Sequence, residues 1–300
     1  MEDTILDALG SPLVDVGGLP GATVAAKVEA ANPGGSAKDR PAREMVRAAE
    51  RSGEIGPDDR IVEATSGNTG IGLALVAAAA GYDLTIVMPE DMSTERRRVM
   101  RAYGADLELV EGTMEDAETR AAAIADGEEA VHVSQFTNEA NPRAHYRTTG
   151  PEIDRQVGDR PIDAFVAAVG TGGTITGTGR YLREAHPDVT VVAVEPASNP
   201  FVSEGEPAHD DYQGMGPAFV PEVYDPTVVD EVEAVALADA EDECRRLARE
   251  QGLLVGQSSG AASVAAERVA ERLAASRDDP LVVTVFPDSG ERYLTTGLFD

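Results

Sequence analysis

The sequence predicts an α/β fold of two lobes, with mainly parallel sheets flanked by helices. Three observations predict it. Apolar runs of strand length alternate with runs of helix length along most of the chain. Several strand-like runs end in loops rich in Gly, Ser and Thr, where open parallel sheets bind ligands. The chain has 300 residues, which suits one large α/β domain or two packed lobes.

Residues 23–29 read as a strand containing Lys27. Asn32-Pro33-Gly34-Gly35 is a turn, and residues 39–50 carry the apolar periodicity of an amphipathic helix. Strand 60–64 is followed by a Ser/Gly/Thr loop and a helix over 73–80. Strand 84–88 is closed by Pro89, and helix 93–103 starts at a Ser/Thr cap with Glu95 behind it. Strand 107–110, helix 114–124 and strand 131–133 complete a first βαβ series. The second series begins after Pro142. It has strand 164–169, a Gly/Thr loop, a helix through Leu182 and strand 189–194. Residues 204–225 are polar and rich in Gly and Pro, which predicts a long irregular segment. Helices over 239–250 and 261–275 and a strand over 281–286 follow.

The net charge is -29 and the sequence pI about 4.4, a field that repels nucleic acid and anionic membranes. The acid is dispersed (Asp58-Asp59, Glu128-Glu129, Asp210-Asp211, Asp278-Asp279) rather than gathered in a tail. With so few lysines, it reads as adaptation to molar salt, which screens self-repulsion. Cys244 is the only cysteine, so no intramolecular disulfide forms, and its helical setting predicts a buried structural thiol. His132, His145, His186 and His209 show no ligand spacing, so no metal site is expected. The Met1-Glu2-Asp3 start lacks the basic stretch of a signal peptide, and no apolar run is long enough to span a bilayer. A soluble, cytoplasmic protein is expected.

The chain has only two lysines, Lys27 and Lys38. Arginine replaces lysine as a surface cation but not as a nucleophilic amine. Lys38, among turn residues at a helix start, is therefore a candidate for covalent work such as Schiff-base formation. Taken alone, the segment is equally compatible with a loop–helix junction whose lysine head lies in water. Lys27, within a strand, reads as structural. Thr65-Ser66-Gly67-Asn68-Thr69-Gly70 and Gly170-Thr171-Gly172-Gly173-Thr174 each join a strand to a helix, so backbone N–H groups at a helix start could receive a carboxylate or phosphate. Either loop alone could also be a tight βα turn. A third turn, Pro287-Asp288-Ser289-Gly290-Glu291-Arg292, follows the last strand.

Five motifs occur in one order: Asn32-Pro33…Ser36…Lys38-Asp39-Arg40, the two loops above, Gly256-Gln257-Ser258-Ser259-Gly260-Ala261, and Pro287 to Leu294. In order and spacing the chain resembles cysteine synthase (O-acetylserine sulfhydrylase), one of the fold-type II pyridoxal-phosphate enzymes of the tryptophan synthase β family. The resemblance runs from about Leu13 to Gly297. It implies that residues 36–142 form a smaller, mobile lobe carrying the Thr65–Gly70 loop. Residues 1–35 plus 143–300 would form a larger lobe carrying the cofactor's phosphate loop. Lys38 would bind pyridoxal 5′-phosphate covalently and act as the catalytic base. Asn68 would bond the cofactor's 3′-oxygen, Gly170, Thr171, Gly172, Gly173 and Thr174 would cradle its phosphate, and Ser289, not Asp288, would face the pyridine nitrogen. Thr65, Ser66, Thr69 and Gln135 would bind the substrate carboxylate.

The implied reaction is β-replacement on an activated serine by sulfide, giving L-cysteine, in a homodimer. Cystathionine β-synthase, O-phosphoserine sulfhydrylase and serine/threonine dehydratase activities are the alternatives. Residues 184–243 contain no lysine or arginine, which favours the neutral ester O-acetyl-L-serine over a phosphate ester. That preference holds unless Arg101, Arg143 or Arg292 reaches in. Gln257 departs from the family's usual aliphatic residue in Gly-Ile-Ser-Ser-Gly.

Overall fold

The computed structural model of the chain describes residues 3–17, 20–90, 92–127 and 130–300. The acidic pair Glu128-Glu129 and the Met1-Glu2 start lie outside the described residues. In chain order the first elements are β1 (Leu13–Asp15), β2 (Thr23–Val28), α1 (Asp39–Ser52), β3 (Arg60–Ala64), α2 (Asn68–Ala80), β4 (Asp83–Pro89) and α3 (Thr94–Ala102). There follow β5 (Asp106–Val110), α4 (Met114–Gly127), β6 (Ala130–His132), α5 (Ala140–Arg147), α6 (Thr149–Val157), β7 (Ala164–Ala168) and α7 (Gly173–Ala185). The last are β8 (Thr190–Pro196), β9 (Glu231–Val235), α8 (Leu237–Arg246), α9 (Gln257–Ala274) and β10 (Leu281–Phe286).

These elements fall into two compact units. The smaller comprises the residues up to Leu9 and Asn32–Asn141; the larger comprises Gly10–Ala31 and Pro142–Asp300. The expected division at 36–142 is corrected: the residues up to Leu9 and residues 32–35 fall in the smaller unit, and Pro142 falls in the larger. Leu6 is buried in the smaller unit's core, and Arg43 Nη1 donates to Leu6 O at 2.8 Å.

The smaller unit holds a sheet in the order β5-β4-β3-β6, parallel throughout. Strand alternation sends Ile61, Leu84, Ile86 and Met88 to one face, against α1 and α2. Val62, Ala64 and Val87 go to the other face, against Ala117, Ala121 and Ile124 of α4. Helix α2 is apolar all round because it is buried almost throughout its first three turns. It lies so close to α1 that a Cβ on Gly72 would stand 3.0 Å from Lys38 O.

The larger unit holds the sheet β1-β2-β10-β7-β8-β9, parallel except for β1 against β2. Its strands also feed two cores. Val24, Val166, Val192 and Val282 pack with α8 and α9, whereas Phe165, Val191, Val283 and Val285 pack with Ile153 of α6 and Ile175 and Leu182 of α7. Each such side chain withdrawn from water contributes roughly 1.5–3 kcal/mol before entropy is counted. Residues 197–225 carry turns but no helix or strand, as their composition predicts.

Candidate active site

Lys38 is the N-cap of α1, half-buried, with its N–H on Ser36 Oγ at 3.2 Å. The loop before it is closed by two side chains. Asn32 Nδ2 donates to Ser36 O at 3.2 Å, and Gly34 N–H donates to Asp39 Oδ2 at 2.6 Å. Asp39 is fully buried and fixes the turn that aims Lys38, a role the sequence reading did not assign. Lys27 is different. It is fully buried, pairs with Glu152 at 2.8 Å, and donates to Gln156 Oε1 at 2.9 Å and to Ser11 O. That ammonium is committed to holding β2 to α6.

The Thr65–Gly70 loop leaves β3 and starts α2. Thr65 is buried and its Oγ1 accepts from Gly67 N–H at 3.2 Å. Gly67 is the N-cap, so no side-chain oxygen from that position engages the first-turn N–H groups. Asn68 and Ser66 are half-buried at the loop's mouth. Thr69 Oγ1 donates to Gln135 Oε1 at 2.6 Å, which joins the loop to the segment after β6. Lys38, Thr65, Ser66, Asn68, Thr69 and Gln135 thus share the smaller unit, with Lys38 O packed against Gly72 one turn beyond Asn68. Arg96 of α3 stands beside the same loop, its Nη1 4.0 Å from where a Cβ on Gly67 would lie. It is not among the arginines the sequence reading named.

Behind Gln135 sits Glu63, a carboxylate only 1% exposed. Its Oε2 accepts from Ser134 N–H at 2.8 Å and its Oε1 from Gln135 N–H at 3.2 Å. Ser134 has φ 52°, a left-handed conformation costly for a residue with a Cβ. Burial pushes the Glu63 carboxyl up to about 8, against the pull of the two N–H bonds. The same burial lowers His132, whose Nε2 lies 3.5 Å from both Glu63 Oε2 and Glu118 Oε1.

In the larger unit, Gly170–Thr174 leaves β7 and starts α7. Gly172 is its N-cap with φ 85°, and a Cβ there would stand 2.6 Å from Tyr224 Cβ, so only glycine fits. A Cβ on Gly170 would stand 2.7 Å from Gly214 O. Thr171 Oγ1 accepts from Gly173 N–H at 3.3 Å. Thr174 Oγ1 lies 3.3 Å from Nε2 of the buried His145, whose Nδ1 lies 2.9 Å from Thr149 Oγ1. The loop offers glycine backbone, hydroxyls and a helix start, with no charged side chain of its own: a cradle for an anion such as phosphate.

Ser289 lies beside this cradle's strand, because β10 pairs β7 in parallel and the two chain ends emerge on one edge. It is half-buried, caps the short 3-10 turn Gly290–Tyr293 and accepts from Glu291 N–H at 3.3 Å. Asp288 is buried and accepts from Tyr293 Oη at 2.8 Å, so the two neighbours face different surroundings. Gln257 has a clear local task. Its Oε1 accepts from Gln213 N–H at 2.9 Å and its Nε2 donates to Glu241 Oε1 at 2.8 Å. It ties the irregular segment that contacts Gly170 to α8. Cys244 is buried, and burial pushes its thiol up to about 12, which suits a structural residue. Among the described residues no His/Cys/Asp/Glu group is arranged to hold a metal, and no helix is long and apolar enough to cross a membrane.

Residues 6–288 match the family model of the pyridoxal-phosphate-dependent enzymes. The chain is 46% identical to the cysteine synthase of Staphylococcus aureus over 280 residues, 93% of this chain and 89% of that one. Among solved structures it superimposes on an O-ureido-L-serine synthase with TM-score 0.95 and 42% identity, covering 100% of this chain and 96% of that chain. It superimposes on isoform 3 of the Entamoeba histolytica O-acetylserine sulfhydrylase with TM-score 0.95 and 36% identity, covering 100% and 92%. The chain belongs to the family of pyridoxal-phosphate-dependent enzymes.

Proposed function

We propose that this pyridoxal-phosphate-dependent enzyme forms L-cysteine by β-replacement, with O-acetyl-L-serine as the activated serine and sulfide as the nucleophile. The observation that carries the reading is the convergence, within one unit, of the Lys38 helix start, the start of α2 and the Thr69–Gln135 pair. An amine thus shares its unit with a receptor for a carboxylate. The identity with cysteine synthases supports the same reaction class.

The residues present fit the cofactor. Gly170, Thr171, Gly172, Gly173 and Thr174 would take its phosphate through backbone N–H and hydroxyl groups, because the space a Cβ would fill is already occupied on the loop's other side. Lys38 Nζ would be its covalent anchor, Asn68 would bond the ring oxygen, and the Ser289 hydroxyl would meet the ring nitrogen. Bound there, pyridoxal phosphate supplies an electron sink that makes loss of a β-substituent feasible. The remaining work falls to the chain. Thr65, Ser66, Thr69 and Gln135 hold the substrate carboxylate and so orient the Cα–H bond. Lys38 Nζ would also be the base that takes the proton from Cα. A hydroxyl rather than a carboxylate at the ring nitrogen weakens the sink, which favours elimination of a good leaving group over transamination.

Arg96 beside Gly67 favours a second reading, in which a phosphate ester is accepted. Initial rates of cysteine formation from sulfide with O-acetylserine, O-phosphoserine and serine decide between them. We expect kcat/KM highest for O-acetylserine. A preference for O-phosphoserine of about tenfold, or 1.4 kcal/mol, would give the leaving group to the second reading. The charge of -29 supports a protein that works in molar salt. A cytoplasmic homodimer completes the reading, and sedimentation equilibrium in molar potassium chloride tests the assembly.

A further inference from the structure

We propose that Glu63 is a positioning residue for substrate binding: its buried carboxylate clamps the backbone of Ser134 and Gln135 and so sets where Gln135 meets the substrate carboxylate. The inference rests on the reading of Gln135 given above and extends it to a group that touches no substrate.

Five observations carry it. Both Glu63 oxygens are used, one on each of two consecutive N–H groups. The first of those residues, Ser134, is held at φ 52°, a conformation that persists only where neighbours enforce it. The second, Gln135, is buried and presents its side chain to Thr69 Oγ1 at 2.6 Å. Its carbonyl is fixed from the other side by Asn141 Nδ2 at 2.9 Å. Glu63 also stands two residues before Thr65 on β3, so one carboxylate ties the end of that strand to the segment following β6. Rotation or retreat of the clamp would carry the Gln135 amide away from Thr69.

The clamp titrates. Among the described residues the ionisable groups facing Glu63 are His132 from β6 and Glu118 from α4. Burial and the Glu118 charge favour the neutral carboxyl, whereas the two N–H groups favour the ionised one. An ionised acceptor binds N–H groups about twice as strongly as a neutral one. The grip on Gln135 therefore tightens as pH rises toward 8 and beyond.

The experiment compares the wild-type holoenzyme with Glu63→Gln and Glu63→Asp. Initial rates are measured against the amino-acid ester at pH 6.5 and pH 8.5, with sulfide saturating. Amide hydrogen exchange of residues 131–139 is read in parallel, without substrate. In Glu63→Gln one N–H group faces an NH2 instead of an oxygen. Its KM should rise about fivefold or more, kcat should change less than about twofold, and the gap should widen from pH 6.5 to pH 8.5. The Ser134 and Gln135 amides should exchange at least about tenfold faster. Glu63→Asp keeps the charge but draws it back by one methylene, so it should give a smaller rise in KM and retain the pH dependence. Unchanged KM and exchange in both variants, with wild-type turnover intact, overturns the positioning role and leaves the reaction standing. A wild type inert toward every activated serine removes the reaction, and with it the substrate the clamp would serve.

Discussion

The two candidate loops, one in each unit, are held in opposite ways. Gly170–Thr174 is packed against the Gly214 carbonyl and the Tyr224 side chain and bonded through threonine hydroxyls, one of them to the His145 ring. The region of Thr65–Gly70 and Gln135 is fixed through a buried acid, beside a histidine and under an arginine. The first loop leaves no room for an added side chain at Gly170 or Gly172. The second region hangs on the Glu63 carboxylate, whose grip on Ser134 and Gln135 is proposed above to change with pH.

The largest expected effect lies outside both loops and separates the two lysines. Lys38→Ala should lower kcat/KM by at least about a thousandfold, roughly 4 kcal/mol. Lys27→Met should instead cost about 3 kcal/mol of folding stability by removing the buried ammonium that pairs with Glu152, with turnover per folded molecule retained. Denaturant melts alongside assays normalised to folded protein distinguish the two losses, and comparable activity losses in both variants would erase the distinction. Next in size, Gly172→Ala adds a Cβ against Tyr224 in a left-handed residue. Cofactor content after dialysis should fall about tenfold, whereas Gly70→Ala, whose Cβ would meet Met100 Cε at 2.7 Å and Thr65 Cγ2 at 3.0 Å in the other unit, should retain cofactor. Equal retention in both would dissolve the contrast between rigid and adaptable loops.

The smallest effect is on stability against pH. The folded pKa of Glu63 lies above its unfolded value, so its contribution is fully present below about pH 4.5 and is lost as pH rises to about 8. Relative to Glu63→Gln, the wild type should lose at least about 1 kcal/mol between pH 5 and pH 8. Parallel melting curves for the two proteins over that window would show the site titrates normally. The same change that weakens the fold strengthens the clamp, a trade seen where a functional residue is kept at some cost to stability.

Much of this was legible in sequence, for local reasons. Lys38 stands out because lysine is nearly absent, and the Gly170–Thr174 loop because its glycines are contiguous. Helices α5 and α6 were missed: Asn141-Pro142 reads as a break, but Pro142 lies in the first turn of α5, where no N–H is needed. Strand β9 was missed because Glu231 and Glu233 interrupt a short run, which is what a strand at the edge of its sheet carries. Residues 239–250 read as one helix, whereas α8 ends at Arg246 and a π turn follows. Glu63 could be noticed as an acid inside an apolar strand, but its partners lie 71 and 72 residues away, beyond any local pattern. Gln257 was visible as a departure whose purpose appears only when Gln213 and Glu241 are placed around it.

The burial of Lys27 has a practical consequence for chemistry done on the protein from outside. Its ammonium is inaccessible and ion-paired, so acylating or reductive-alkylating reagents in solution find, apart from the terminal amine, one side-chain amine that is not sealed in the core. If Lys38 anchors the cofactor as proposed, its occupancy can be followed by protection of a single side-chain amine in intact-mass measurements. The same scarcity makes Lys38 a natural point for attaching one side-chain label per chain.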